Sequence, residues 1–129
     1  MDGKPAGMTA NVPHGTIKFS RKEELCVAKI VAIANQKGGV GKTTTAINLS
    51  ACLAEAKQRV LVIDIDPQGN TTSGLGADKN AVENTLYELL LGEAETKDTI
   101  IKNVVDNVDL IPSNMNLSGA EIELVDLED

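Results

Sequence analysis

The run "NQKGGVGKTTTAINLS", from Asn35 to Ser50, constrains the fold more than any other stretch of the chain. It places Gly38, Gly39 and Gly41 within four positions. Glycine weakens a helix or strand interior by roughly 0.5–1 kcal/mol relative to alanine, so regular structure does not explain this density. What glycines offer is a backbone whose successive N–H groups can turn into one concavity. The flanks say where such a turn sits. Before it, "KIVAIAN" (29–35) is a short, β-branched, apolar run that suits a strand buried on both faces. After it, "TTTAINLSACLAEAKQ" puts Ala46, Leu49, Leu53 and Ala56 on one helical face. Then "RVLVIDID" reads as a second buried strand that ends in Asp64 and Asp66. Strand, loop, helix and strand in this order predict a right-handed βαβ unit, hence an α/β fold with a parallel sheet and flanking helices.

A strand-to-helix turn that binds phosphate needs glycines for the cradle, a lysine for charge and a hydroxyl in the first helical turn for Mg²⁺. "GVGKTT" supplies all three. Gly38, Gly39 and Gly41 shape the turn, Lys42 faces the phosphates and Thr43 offers its hydroxyl, with Val40 and Thr44 completing the run. The general pattern G-x-x-x-x-G-K-[ST] places a glycine where this chain has Gln36, and a second lysine, Lys37, follows at once. Asp64 and Asp66 fall at the carboxyl end of the second strand, where open α/β sheets place their ligands.

Downstream, "PQGNTTSGLGADKN" is a polar, glycine-rich stretch that predicts a loop. Thr85-x-x-Glu88 predicts a capping box for the helix "LYELLL", closed by Gly92. A helical piece over 99–105, a third strand at "VDLIPS" and a last helix capped by Ser118-x-x-Glu121 complete the reading. Residues 1–27 form a polar leader, expected to be disordered to Gly15 at least, and 28–129 the folded part. His14 has no partner at ligand spacing in this leader and receives no role.

Composition excludes several classes. Phe19 and Tyr87 are the only aromatics, too few for a platform that stacks single-stranded nucleic acid. A net charge of −7 argues against a chain that coats nucleic acid. Two cysteines make neither a disulfide framework nor a metal motif. Cys52, inside the apolar helical pattern, is expected to be buried as a small hydrophobe, and Cys26 the same. The opening "MDGKPAGMTANVPHG" lacks a hydrophobic signal core, and no apolar run is long enough to span a bilayer, so a cytoplasmic setting with no membrane contact is expected.

These residues resemble a known family. "KGGVGKTT", with a lysine directly before the glycines, resembles the deviant Walker A loop of ParA/MinD-type P-loop ATPases. "VLVIDIDPQGNTTSGLG" and "DLIPSNMNLSGAEIEL" are similar specifically to the ParA, Soj-like branch that partitions chromosomes and plasmids. The resemblance runs from about Ala28 to the last residue. It implies an ATP- and Mg²⁺-dependent homodimer that sandwiches its nucleotides, hydrolyses ATP slowly, responds to a ParB-like partner and binds DNA without sequence preference. Lys37 would reach across the dimer, Lys42 would hold the β- and γ-phosphates, Thr43 would ligate Mg²⁺, Asp64 would support the metal shell and Asp66 would position the hydrolytic water. It also implies that the Walker B strand and the DNA-binding surface of the family lie beyond this stretch. The chain then corresponds to the N-terminal half, with "KIVAIAN" left as an apolar sheet edge. A noncatalytic nucleotide-binding fragment and a MinD-like positioning ATPase are the alternatives. MinD-like members usually lack "DPQGN", nitrogenase-iron-protein-like carriers need differently placed cysteines, and the tyrosine-kinase branch needs a tyrosine-rich tail.

Overall fold

The computed structural model describes residues 9–12, 15–18 and 28–126, and the chain divides into two units, 1–32 and 33–129. Within the first, β1 (Thr9–Val12) and β2 (Gly15–Lys18) pair antiparallel, with Thr9 opposite Lys18 and Val12 opposite Gly15. Paired strands thus occur inside the segment read as a polar leader. His14, Cys26 and the end of the last helix beyond 126 lie outside the described residues.

The second unit is a mixed α/β arrangement. Its order is α1 (Lys42–Glu55), β3 (Val60–Ile63), α2 (Asn70–Gly74), α3 (Leu86–Leu90), α4 (Thr96–Thr99), β4 (Ile101–Val105), β5 (Val108–Ile111), a 3₁₀ turn (Met115–Gly119) and α5 (Ala120–Asp126). β5 lies in the centre of a three-stranded sheet, parallel to β3 and antiparallel to β4. Both predicted strands at "RVLVIDID" and "VDLIPS" are present, and they are the parallel pair, Val60 opposite Val108 and Ile63 opposite Ile111.

The central strand carries the core. Val108 and Leu110 are fully buried and cluster with Ala54 of α1 and with Leu75. Ile111 turns to a second cluster with Leu86, Leu117 and Ala120. Thr85 accepts from the Tyr87 N–H while Glu88 accepts from the Thr85 N–H at 2.7 Å, which is the reciprocal capping box expected there. Burial pushes the Glu88 carboxyl up, but the Thr85 hydroxyl and backbone bonds outweigh it and hold the group below its ordinary value.

Five expectations are corrected. "KIVAIAN" belongs to neither sheet, and Ile30 is 92% exposed. Apolar, β-branched composition suits a strand, but a strand exists only where a neighbour completes its hydrogen-bond ladder. The buried stripe of α1 runs through Ser50 and Ala54, with Ile47 packed beside it, while Leu49, Leu53 and Cys52 are exposed. The helix has two apolar stripes, and only the one facing β5 is covered. The stretch 99–105 is not helical: α4 stops at Thr99 and Ile101–Val105 turns back on β5 through Asp106 and Asn107. Asn107 takes the turn's left-handed conformation, φ 61°, which asparagine tolerates better than most residues. The glycine-rich stretch after β3 holds a short helix, α2, begun by Gly69 at φ 62°. The last helix is led by a 3₁₀ turn capped by Asn114, whose side chain accepts from the Asn116 N–H, while Ser118 donates to the Met115 carbonyl.

Leu110→Ala removes the most enclosed large side chain of the core and is expected to cost about 2–5 kcal/mol in urea denaturation. Leu61→Ala, at a half-exposed position, costs less. Tyr87 offers a second check. Its hydroxyl donates to Glu123 at 2.7 Å, joining α3 to α5, and this bond, helped by desolvation and nearby carboxylates, pushes the phenol up to about 12. The ordinary value is near 10, so the contribution is complete below that pH and lost as pH rises through the raised value. Tyr87 is the only tyrosine and tryptophan is absent, so tyrosinate absorbance reads it alone. Glu123→Ala is expected to return the midpoint toward the ordinary value.

Candidate functional site

The glycine loop reaches α1 through Gly41, whose φ of 92° is left-handed and so favours glycine. A Cβ built at Gly38, Gly39 or Gly41 meets nothing within 4 Å, so nothing packs against the loop at these positions. α1 begins without a side-chain cap and with no acidic residue in its first turn. Its N-terminal N–H groups therefore keep the character of an anion site. Thr43 stands half-buried in that first turn, Thr44 and Val40 are exposed.

Lys42 is tied to the loop by its side chain and Lys37 by its backbone. Lys42 Nζ donates to the carbonyl of Asn35 at 3.0 Å and to that of Lys37 at 2.9 Å. The Lys37 N–H donates to Asn35 Oδ1 at 2.9 Å. Asn35 was not among the expected site residues, yet it orders the lysine expected to act across a dimer and accepts the other's ammonium. Its signal in the sequence was only its place between an apolar run and the glycines.

Beyond β3, Asp64 is 4% exposed and fully engaged. Its Oδ2 accepts from Thr72 N–H at 2.8 Å and from Thr72 Oγ1 at 2.7 Å, and its Oδ1 accepts from the Asp66 N–H at 3.1 Å. Asp66 is exposed, and its Oδ1 accepts from the Gln68 N–H at 3.0 Å. Its carbonyl accepts from Gly69 N–H at 2.8 Å and from Ser113 Oγ at 2.7 Å. Thr72 and Ser113 were also unforeseen; each is a small hydroxyl residue in a stretch read as loop or strand end. Among the described residues no group of three His, Cys, Asp or Glu could hold a metal ion. The hydroxyl at the helix start, the free first turn and the open loop fit a magnesium nucleotide in donor chemistry.

A family described as AAA domain matches residues 28–129. The chain is 58% identical over 99 residues to the sporulation initiation inhibitor protein Soj of Bacillus subtilis (strain 168), covering 77% of this chain and 39% of Soj. It is 54% identical over 96 residues to the chromosome partitioning protein ParA of Caulobacter vibrioides (strain NA1000 / CB15N), covering 74% and 36%. The chain belongs to this family, in its ParA/Soj branch. Among solved structures it is similar to a cobyrinic acid a,c-diamide synthase of Mycobacterium smegmatis with a bound ATP analog and magnesium. That likeness has 42% identity and a TM-score of 0.68, over 71% of this chain and 37% of the other. The chain thus spans about two fifths of the relatives it matches. No helix among the described residues is long and apolar enough to cross a membrane.

Gly69 tests the packing behind the acidic site. Its Cβ would stand 2.7 Å from the Ser113 carbonyl oxygen, whereas at Gly76, also left-handed, it would meet open space. Gly76→Ala is expected to cost about 1–2 kcal/mol by conformation alone. Gly69→Ala should cost clearly more in the same urea denaturation series.

Proposed function

We propose that the chain carries the phosphate-binding half of a partition-type ATPase, a nucleotide-dependent dimer switch in DNA segregation. The observation that supports this most is the loop 35–43, an uncapped helix start wrapped by glycines with Lys42 folded back onto two loop carbonyls. Those carbonyls are weaker partners for an ammonium than phosphate oxygens. On this reading Lys42 leaves them for the β- and γ-phosphates of ATP, and the first-turn N–H groups of α1 take the remaining oxygens. The Thr43 hydroxyl would hold Mg²⁺, which when bound would supply positive charge against the phosphates. Asp64, committed to Thr72 and to Asp66, supports the metal shell through the geometry it holds rather than by direct ligation.

The reaction is phosphoryl transfer to water. A water oxygen bonds to the γ-phosphorus as the bond to the ADP oxygen breaks, and the protein contributes positioning and charge. Asp66, exposed just after the end of β3, orients the water. Lys37 stabilises charge on the nucleotide of a second copy, which makes a homodimer with ATP at its interface the active form. On the same reading the partners are a ParB-like protein and nonspecific DNA and the setting is cytoplasmic and nucleoid-associated; the likeness to a chromosome partitioning protein supports the role in segregation.

Calorimetric titration of the chain with ATP·Mg²⁺, beside Lys42→Ala, tests the reading. Saturable binding is expected, weakened at least tenfold in the variant. Equal binding by both, or by neither, would sink it. Binding without turnover would leave a nucleotide-binding module in place of an ATPase.

A further inference from the structure

Four residues from three separate segments close a hydrogen-bonded ring. The Asp66 N–H donates to Asp64 Oδ1 at 3.1 Å, and Thr72 Oγ1 donates to Asp64 Oδ2 at 2.7 Å. The Ser113 N–H donates to Thr72 Oγ1 at 3.0 Å, and Ser113 Oγ donates back to the Asp66 carbonyl at 2.7 Å. Thr72 and Ser113 are 0% exposed, and the two bonds made by Thr72 Oγ1 are buried from water. The Thr72 hydroxyl both donates and accepts, the Ser113 hydroxyl donates, and no buried side-chain nitrogen or oxygen among the described residues lacks a partner.

Only one member of the ring reaches solvent, and it is Asp66. Its N–H and its carbonyl are held from opposite sides, by Asp64 and by Ser113, which fixes the peptide planes on both sides of its Cα. Its carboxylate is set by the Gln68 N–H. We infer that Ser113 and Thr72 are positioning residues for the reaction, holding the Asp66 carboxylate in the orientation that aligns water. The inference rests on the proposed ATPase reading for its catalytic consequence, though not for its geometry. Orientation of this kind is where small displacements are costly, with about 1 Å worth up to 100-fold in rate. Ser113 lies just beyond Ile111, the last residue of the central strand β5, so the strand that carries the core also bears on the direction of the acidic group.

The test compares wild type with Ser113→Ala, Thr72→Val and Thr72→Ser. Thr72→Val keeps the shape and removes the hydroxyl; Thr72→Ser keeps the hydroxyl. Amide hydrogen exchange read by NMR at Asp66 and Gly69 is expected to quicken at least tenfold in Ser113→Ala and Thr72→Val. It should stay within about twofold of wild type in Thr72→Ser, with Leu89 in α3 as the unaffected control. ATP turnover should fall roughly 10–100-fold in the same two variants while ATP affinity changes less than twofold, a split that general loosening would not produce. Should Ser113→Ala fail to fold in a thermal melt, Thr72→Val against Thr72→Ser carries the comparison. Unchanged exchange at Asp66 would overturn the inference. Undiminished turnover in an ATP-binding variant with quickened exchange would overturn it equally. A wild type that neither binds nor hydrolyses ATP counts against the proposed function alone, and the exchange comparison still decides whether the ring holds Asp66.

Discussion

A buried carboxylate organises this structure. Asp64 ends the run of β3 on its covered side, and a carboxylate taken from water is tolerated only where its oxygens are met by donors. Three donors meet it, two from Thr72 and one from Asp66. Satisfying that one group forces the chain after β3 to double back so that the start of α2 lies against the strand end. The left-handed turn at Gly69 makes this path possible, and the close approach of Ser113 leaves no room there for a side chain. The acidic site therefore follows from an electrostatic requirement, not from the flexibility its glycine-rich sequence suggests.

The glycine loop obeys the opposite logic. Nothing packs against its glycines, and its internal bonds are lysine to carbonyl and amide to asparagine, all exposed. Such bonds are individually weak in water. A loop held this way can exchange its internal partners for a ligand's oxygens at little cost, while the ring behind Asp66 stays as it is. The loop is exchangeable and the acidic ring fixed, which is the division that the proposed uptake of a nucleotide and alignment of water would need.

How much of this was legible in the residues depended on range. Local signals read well: the capping box at Thr85 and Glu88 and the strands at 60–63 and 108–111 rest on neighbours in sequence, whereas the parallel partner of 60–63 is 108–111 and not the expected 29–35. What escaped were arrangements set by distant partners. Thr72 and Ser113 are 41 residues apart and mean nothing separately. Residues 99–105 gave a helical impression until Ile101–Val105 found β5. Cys52 and Leu53 looked like core because periodicity reports that a helix has an apolar face, not whether anything covers it.

The parity of β3 carries that last point to the function. Val60, Val62 and Asp64 alternate on the covered side, while Leu61, Ile63 and Ile65 are exposed on the other. An apolar residue at nearly every position is the pattern of a strand enclosed on both faces, and only one face is enclosed among the described residues. "KIVAIAN" repeats the pattern, apolar throughout and exposed at Ile30 and Val31. The site residues fall on the enclosed side of this division. Asp64 shares its face with Val60 and Val62, which pack on the Val108 and Leu110 cluster, and the ring closes through Ser113, two residues beyond the same central strand. The orientation of Asp66 is therefore anchored to the part of the sheet that is already packed. Covering the outer face would add stability without moving the acidic group.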